Sequence, residues 1–347
     1  MAPVDLMTNP GMFASKRALS AWPFGMHSGY VNAYSWHTCS TSAHEQHDCS
    51  WSGPRSFVFT AISGRSRASV TVRRGPALPV TATVETIAKT GFYGVYWRPP
   101  ASRDTHIGIV EFGGSGGGID SSFGAVLASH GYPTLDVAYI GEPGLHRAVE
   151  DVHLEYFAQA LGWLERQPGV DPNRVWVMGW SLGSEAALLL GIHYPDLVHG
   201  VVALEPSDVP LCSWVAPAAG PPIWTFDGQP VPCANQTNPL PAQNLAAVIP
   251  VSEIPGPVLL DCGAADGIWS ACEYAQTMMA ELSAGGDPHP HELLDYPAAG
   301  HGLGAPVPYT PGAATLEEHF QLGGQTAVAN AIAVANQWPK LLAFLRR

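Results

Sequence analysis

The hydrophobic pattern changes character near residue 91. Before it, the chain is rich in Ser, Thr, Gly and aromatic residues, and runs such as SFVFTAI (56–62) and ASVTVRR (68–74) alternate β-branched or aromatic positions with polar ones. Alternation with period two and no helical period predicts short strands of a small β-rich, sandwich-like unit over 1–90. After it, apolar runs and helical stripes take turns. GFYGVYWRP (91–99), HIGIVEF (106–112), PTLDVAY (133–139), RVWVMGW (174–180), LVHGVVALE (197–205), PGPVLLDCG (255–263) and HELLDYP (291–297) read as strands. Residues 149–164 place Val149, Val152, Tyr156, Phe157, Ala160, Leu161 and Leu164 at helical spacing. The apolar stretch 182–193, residues 271–282 and residues 325–346 also read as helices. Strands alternating with helices predict an α/β unit over 91–347, with a mostly parallel sheet flanked by helices.

Residues 206–250 interrupt that alternation. They are rich in Pro, Ala and Asn and show no periodic element. A segment this long inside a compact unit reads either as a lid-like insertion or as a stapled surface excursion, since Cys212 and Cys233 lie within it. The six cysteines form three pairs close in sequence, Cys39/Cys49, Cys212/Cys233 and Cys262/Cys272. If all are bonded, they imply an oxidising, secretory setting; six reduced thiols in a cytosolic protein are the alternative. The first 22 residues lack a charged start followed by an apolar core, so no signal peptide is expected there.

Charge narrows the possible partners. Of 16 Lys+Arg and 29 Asp+Glu, net −13, none of the cations falls between residues 175 and 339. A nucleic-acid binder needs clustered cations to displace counterions from phosphates, so nucleic acid is excluded as the partner. The same stretch offers no basic face to anionic lipid. Without an apolar run of about 18 residues, no membrane-spanning helix is expected. With 46% hydrophobic and 13% charged residues, the chain is a folding sequence and not a disordered one.

Gly179-Trp180-Ser181-Leu182-Gly183 is a G-x-S-x-G motif between a buried strand and an apolar helix. A strand–turn–helix reversal that sharp leaves no room for side chains beside the serine, which explains both glycines, and it lifts the Ser181 hydroxyl above the sheet edge. That context predicts the α/β-hydrolase fold, with Ser181 as nucleophile. A serine at its free pKa needs a base, and His301 in AAGHGL, after the last predicted strand, is the natural one. The orienting acid is expected at Asp266, in the loop after strand 255–263, with Glu205 as the fallback. Oxyanion donors are expected from the backbone of Leu182 and from Gly114 and Ser115 in the turn 113–118. Trp180, Trp269, Gly116 and Gly117 are candidates to line the substrate, with Trp214 and Trp224 adding apolar surface. The glycine turn is not a phosphate loop, because no Gly-Lys-Ser/Thr follows it. His37, Cys39, His44, His47, Asp48 and Cys49 form a cluster that reads either as a zinc site or as a polar loop closed by a disulfide. The triad chemistry requires no metal or cofactor, and none is expected.

Residues 91–347 resemble the C-terminal α/β-hydrolase domain of the type I acyl-CoA thioesterase / bile acid-CoA:amino acid N-acyltransferase family. The resemblance is carried in order by EFGGSGGG (111–118), EDVHLEYFAQALGWLERQPGVDPNRV (150–175), GWSLGSEAALLL (179–190), IPVSEIPGPVLLDCGAADGIWS (249–270), DYPAAGHGL (295–303) and GGQTAVANAIAVANQWPKLLAFL (323–345). It implies a Ser181, Asp266, His301 triad acting on an acyl thioester or ester, an N-terminal β-sandwich and a cytoplasmic location. The amino-acid-conjugating branch uses Cys as nucleophile, so Ser181 points to transfer to water. Acyl transfer to an amine or alcohol is the alternative activity, and a non-catalytic ligand-binding protein on the same fold is the alternative of another class. The family commonly has Lys after the nucleophile, where this chain has Leu182. Any phosphate of a CoA group must therefore be met from residues 1–174 or from the last eight.

Overall fold

A computed structural model describes residues 55–63, 66–74, 80–119, 121–213, 220–234, 244–286, 288–304, 323–324 and 327–347. Strands β1 (Arg55–Ser63) and β2 (Ser66–Arg74) form an antiparallel pair, near the two alternating runs expected there. The main body is an eight-stranded sheet made by β3 (Thr81–Glu85), β4 (Tyr93–Arg98), β5 (Gly108–Phe112), β6 (Thr134–Ala138), β8 (Val175–Trp180), β9 (Gly200–Leu204), β12 (Val258–Gly263) and β13 (His291–Tyr296). Its order is β13-β12-β9-β8-β5-β6-β4-β3. The six strands from β13 to β6 are parallel, and β4 and β3 close one edge in antiparallel register.

Strand Thr81–Glu85 therefore belongs to the large sheet, which brings the start of that unit to about residue 80, whereas the texture change suggested 90. Its first four residues are exposed and three of them are not strongly apolar, so locally they look like the segment before them. Only pairing with β4 assigns them to this sheet, and the one-turn helix α1 (Ile87–Thr90) joins the two strands.

Successive residues along the central strands feed opposite faces. Val175 and Val177 pack on one face with Phe157, Leu161, Leu188, Leu190 and Met278, from helices α3 (Leu154–Leu164), α4 (Leu182–His193) and α5 (Ala271–Gly285). Trp176 and Met178 pack on the other with Phe123, Leu127, Leu341 and Phe344, from α2 (Ser121–Ser129) and α6 (Ala327–Phe344). The strands read as continuous apolar runs because both faces are covered.

The helix expected over 149–164 begins only at Leu154. Val149 and Val152 are buried as the helical stripe required, but Val152 and His153 form β7, pairing in parallel with Trp224 and Thr225 of β10 (Trp224–Phe226), which turns back into β11 (Gln229–Pro230). Asp151, with φ 51°, sets the chain into this short strand. The partner lies some seventy residues downstream, so local spacing carries no trace of the pairing.

The described parts of the 206–250 insertion pack on α4. Bridges join Leu211 to Ala234 and Cys212 to Pro222, and a disulfide joins Cys212 to Cys233. A second disulfide, Cys262–Cys272, ties the end of β12 to the start of α5. Cys39 and Cys49 lie outside the described residues. No helix among the described residues is long and apolar enough to cross a membrane.

Helix α4 is buried from Leu182 to Gly191 and includes one acid, Glu185. Its Oε2 accepts the Trp224 indole N–H at 2.8 Å and the Leu211 amide at 3.1 Å, fastening the insertion to the helix. Burial raises the Glu185 pKa from an ordinary 4.5 to about 8. The unfolded chain gives up this proton above about 4.5, while the folded chain holds it until about 8. The stability this group contributes is thus full in mild acid and declines as pH rises between those values, at a slope of about 1.4 kcal/mol per unit. Urea unfolding measured from pH 5 to 8 should show stability falling with pH, and Glu185→Gln should make that dependence shallower by about this slope.

Candidate active site

The sharpest constraint in the sheet lies between β8 and α4. Ser181 joins them with φ 56° and ψ −125°, a conformation that L-residues rarely adopt and that the surrounding packing must enforce. A Cβ on Gly179 would lie 2.0 Å from the Gly183 carbonyl oxygen, and one on Gly183 would lie 2.3 Å from that of Gly113. Both contacts are with backbone, which cannot move aside, so both motif positions need glycine for close approach. The turn is pinned by the Ser181 amide donating to Leu204 O at 2.9 Å and by the Ser184 hydroxyl donating to Ser181 O at 2.6 Å.

The reversal presents the Ser181 hydroxyl to His301, with Oγ 2.7 Å from Nε2. His301 stands in the loop after β13, and its Nδ1 lies 2.7 Å from Asp266 Oδ2 in the loop after β12. The other Asp266 oxygen accepts the amides of Ile268, at 2.7 Å, and Trp269, at 3.2 Å. Three donors thus satisfy the Asp266 carboxylate. The side chains of His301 and Asp266 are 3% and 2% exposed, so the relay is shielded from solvent, where such hydrogen bonds are strongest.

Two tryptophans that are candidates to line the substrate contact the histidine. Trp180 donates its indole N–H to the His301 carbonyl at 3.1 Å, and the Trp269 ring meets the imidazole edge-on, with centroids 4.9 Å apart. Trp224 is in the core on Glu185, and Trp214 lies outside the described residues. The His37–Cys49 cluster lies outside them as well.

Of the glycine turn, Gly114 comes closest to the serine: a Cβ there would be 3.0 Å from Ser181 Cβ. Tyr139, buried behind the turn, donates its hydroxyl to the carbonyl oxygens of Gly113 and Gly114 and so fixes which way these peptides face. Ser115 and Gly116 are exposed beside Gly114. Gly117, another candidate to line the substrate, is buried. At φ 57° it turns inward onto Ile140, whose side chain fills the place of a Cβ, and its carbonyl accepts the Tyr139 and Ile140 amides. Leu182 begins α4, where the first amides of a helix have no partner within the helix.

Two buried groups here take places that the sequence pattern does not announce. Tyr139 ends a predicted strand, with nothing in its spacing to mark its contacts. Glu205, the fallback acid, makes no contact with His301 that replaces Asp266, yet it sits beside the pair: one oxygen of Glu205, one of Asp266 and a ring nitrogen of His301 lie within 4.8 Å of one another. The readable signal was a lone acid ending an apolar strand.

The profile of the family described as "BAAT / Acyl-CoA thioester hydrolase C terminal" matches residues 152–216 and 223–347, more than half of the chain. The chain belongs to this family. Acyl-coenzyme A thioesterase 6 of Mus musculus is 27% identical over 267 residues, covering 72% of this chain, and the Homo sapiens protein of that name is 28% identical over 261 residues. Peroxisomal succinyl-coenzyme A thioesterase of Mus musculus is 24% identical over 258 residues. The chain covers 61% of the length of each of these relatives. A crystal structure described as a dienelactone hydrolase from Klebsiella pneumoniae superposes with a TM-score of 0.51 at 18% identity, covering 78% of this chain and 99% of that one. That likeness shows the α/β-hydrolase fold. The matched residues include Ser181, Asp266 and His301.

Gly183→Ala tests the packing of the elbow. The methyl group must displace the backbone of Gly113, so the melting temperature should fall, with a loss of about 1–3 kcal/mol by denaturant unfolding. Gly116→Ala, whose Cβ meets nothing within 4 Å, should leave the melting temperature unchanged.

Proposed function

We propose that the protein is a serine hydrolase that cleaves an acyl thioester or ester through an acyl-Ser181 intermediate. The observation that carries this reading is the unbroken Asp266–His301–Ser181 relay, with both links at 2.7 Å, on a backbone reversal that turns the serine oxygen to the imidazole. The family relatives, named as thioesterases, favour the thioester.

In the reaction His301 Nε2 takes the Ser181 proton as Oγ bonds to the acyl carbon. Asp266 stabilises the imidazolium and holds the ring by Nδ1, without accepting the proton. The carbonyl oxygen gains the negative charge, and the amides of Leu182 and of Gly114 or Ser115 are the donors placed to meet it. Collapse breaks the bond to the leaving thiol or alcohol, which takes the proton from His301. Water then gives a proton to His301 and its oxygen to the acyl carbon, releasing the acid and restoring Ser181. No metal or cofactor takes part in these steps. The two disulfides, Cys212–Cys233 and Cys262–Cys272, favour an oxidising compartment.

The placement of cations bears on the leaving group. Arg98, Arg103 and Arg174 flank the strand ends opposite to Ser181, as do Arg346, which reaches Tyr132, and Arg347, which pairs with Glu292 at the start of β13. On the serine side, Lys89 is held by Glu85 at 2.7 Å, while Arg147 stands exposed in the loop after β6. That loop packs through Ile140 on the glycine turn. Among the cations of the main sheet and its loops, Arg147 is thus the one we assign to a phosphate of a CoA leaving group, with the acyl chain itself uncharged.

Ser181→Ala should abolish both thioester turnover and covalent labelling by a fluorophosphonate. Labelling that persists in this variant would sink the nucleophile assignment. Arg147→Ala should raise KM for an acyl-CoA by about 5- to 10-fold, the loss of one charge-assisted hydrogen bond. It should leave KM for the same acyl group on N-acetylcysteamine unchanged, which steady-state kinetics on the two thioesters will compare. Added amines or alcohols that divert the acyl product would show transfer in place of hydrolysis.

A further inference from the structure

Glu205 follows the last residue of β9 and is fully buried. Its φ is 49°, so this position, like Ser181, holds a non-glycine residue in left-handed backbone. Such a conformation costs on the order of 1–3 kcal/mol and persists where the side chain is needed at that point. The carboxyl lies between the two loops that bear the relay. Oε2 accepts the Gly263 amide at 3.1 Å, three residues before Asp266, and the backbone at Leu303, two residues after His301, lies close enough to favour the ionised form in part. The Glu205 amide donates to Asp261 O at 2.7 Å, which anchors the residue to β12.

Two carboxyl groups and one imidazole share this volume. Three donors are directed at the Asp266 carboxylate. A second anion within 4.8 Å, out of reach of water, is strongly disfavoured. The other ionisable group that bears on Glu205 is Asp261, also buried, whose charge would repel it further. Burial and the neighbouring Asp266 hold the Glu205 carboxyl well above the usual carboxylate range.

Resting on the triad reading above, we infer that Glu205 is a positioning residue: a neutral carboxylic acid that ties the Asp266 and His301 loops together from beneath without adding a second negative charge to the relay. It acts through Asp266 and His301 and does not touch the substrate. The neutral form serves because a charged carboxylate there would bind the imidazolium too well and leave His301 a poor acid toward the leaving group.

The test is the rate of fluorophosphonate labelling of Ser181 against pH, in the full chain, for wild type, Glu205→Gln and Glu205→Ala, with melting temperatures alongside. Glu205→Ala should label about 10- to 100-fold more slowly, the scale of a misplaced reacting group. Glu205→Gln, an uncharged isostere, should restore labelling close to wild type and keep the acid limb of the profile at the same pH. If Glu205 is instead an anion, Glu205→Gln moves that limb to lower pH, because removing a negative charge beside an imidazole favours its neutral form; that shift overturns the inference. A wild-type rate in Glu205→Ala, or a glutamine no better than alanine, also overturns it. Where Glu205→Ala fails to fold, the position of the limb in Glu205→Gln decides. Wild-type protein that does not label removes this inference together with the triad reading. Wild-type protein that labels but cleaves no thioester removes only the substrate class.

Discussion

The structure depends on one steric constraint, the volume denied between β8 and α4. Gly179 and Gly183 let three backbone segments, the end of β8, the start of α4 and the turn at Gly113, approach closer than a side chain at either position permits, and the strain of Ser181 at φ 56° is held by that contact. The rest follows from this. Helix α4 can lie flat on the sheet only because its first turn is glycine-lined, and its burial from Leu182 to Gly191 supplies the apolar contact that offsets the strain. The glycine turn 113–118 is then pressed against the serine, with Tyr139 setting the direction of its peptides. A site whose position is set by backbone contact is fixed more tightly than one that relies on side-chain rotamers.

The remaining site groups come from strands that do not neighbour the elbow in sequence. Asp266 and His301 emerge from β12 and β13, which pair in parallel from Val258↔His291 to Gly263↔Tyr296, so their loops leave the sheet at the same height. Cys262–Cys272 closes the Asp266 loop at its base, and the tryptophans at 180 and 269 brace the imidazole from two sides. A triad that looks like three residues is held by a wider layer of packed and hydrogen-bonded groups, in which Glu205 lies at the centre.

What could be read from sequence follows the range of the interaction. The strands around Val110, Val177 and Leu260 were legible because burial on both faces leaves an unbroken apolar run; Ser181 and Asp266 stood out because each follows such a run, and His301 because it stands between glycines after the last predicted strand. Helix Ser121–Ser129 was not, being built of small residues without a marked stripe. Val152 satisfied a helical period and yet lies in a strand, since its partner Trp224 is remote in sequence. Thr81–Glu85 looked like the segment before it because an edge strand exposes most of its side chains. Glu185 was a lone acid in an apolar helix, a visible anomaly whose meaning required knowing that Trp224 and Leu211 fold over it. Tyr139 and the inward turn of Gly117 depend on contacts among three loops, which no local pattern encodes.

The sheet polarity has an electrical consequence. Helices α2, α3, α4 and α5 all start just after strands end, so the positive ends of their backbone dipoles converge on the serine side. The side chains there oppose them, for Glu142, Glu150, Asp151, Asp227 and Glu273 surround that end while most arginines of this unit lie behind the sheet. The two fields differ in range. The peptide field is short and strong within one turn of Leu182, whereas the side-chain field reaches outward until salt screens it. An anion approaching from solution meets repulsion first, and one formed at the serine meets only the near field. The fold therefore stabilises charge created at the serine by its near field, and leaves a phosphate arriving from solution to a local cation such as Arg147.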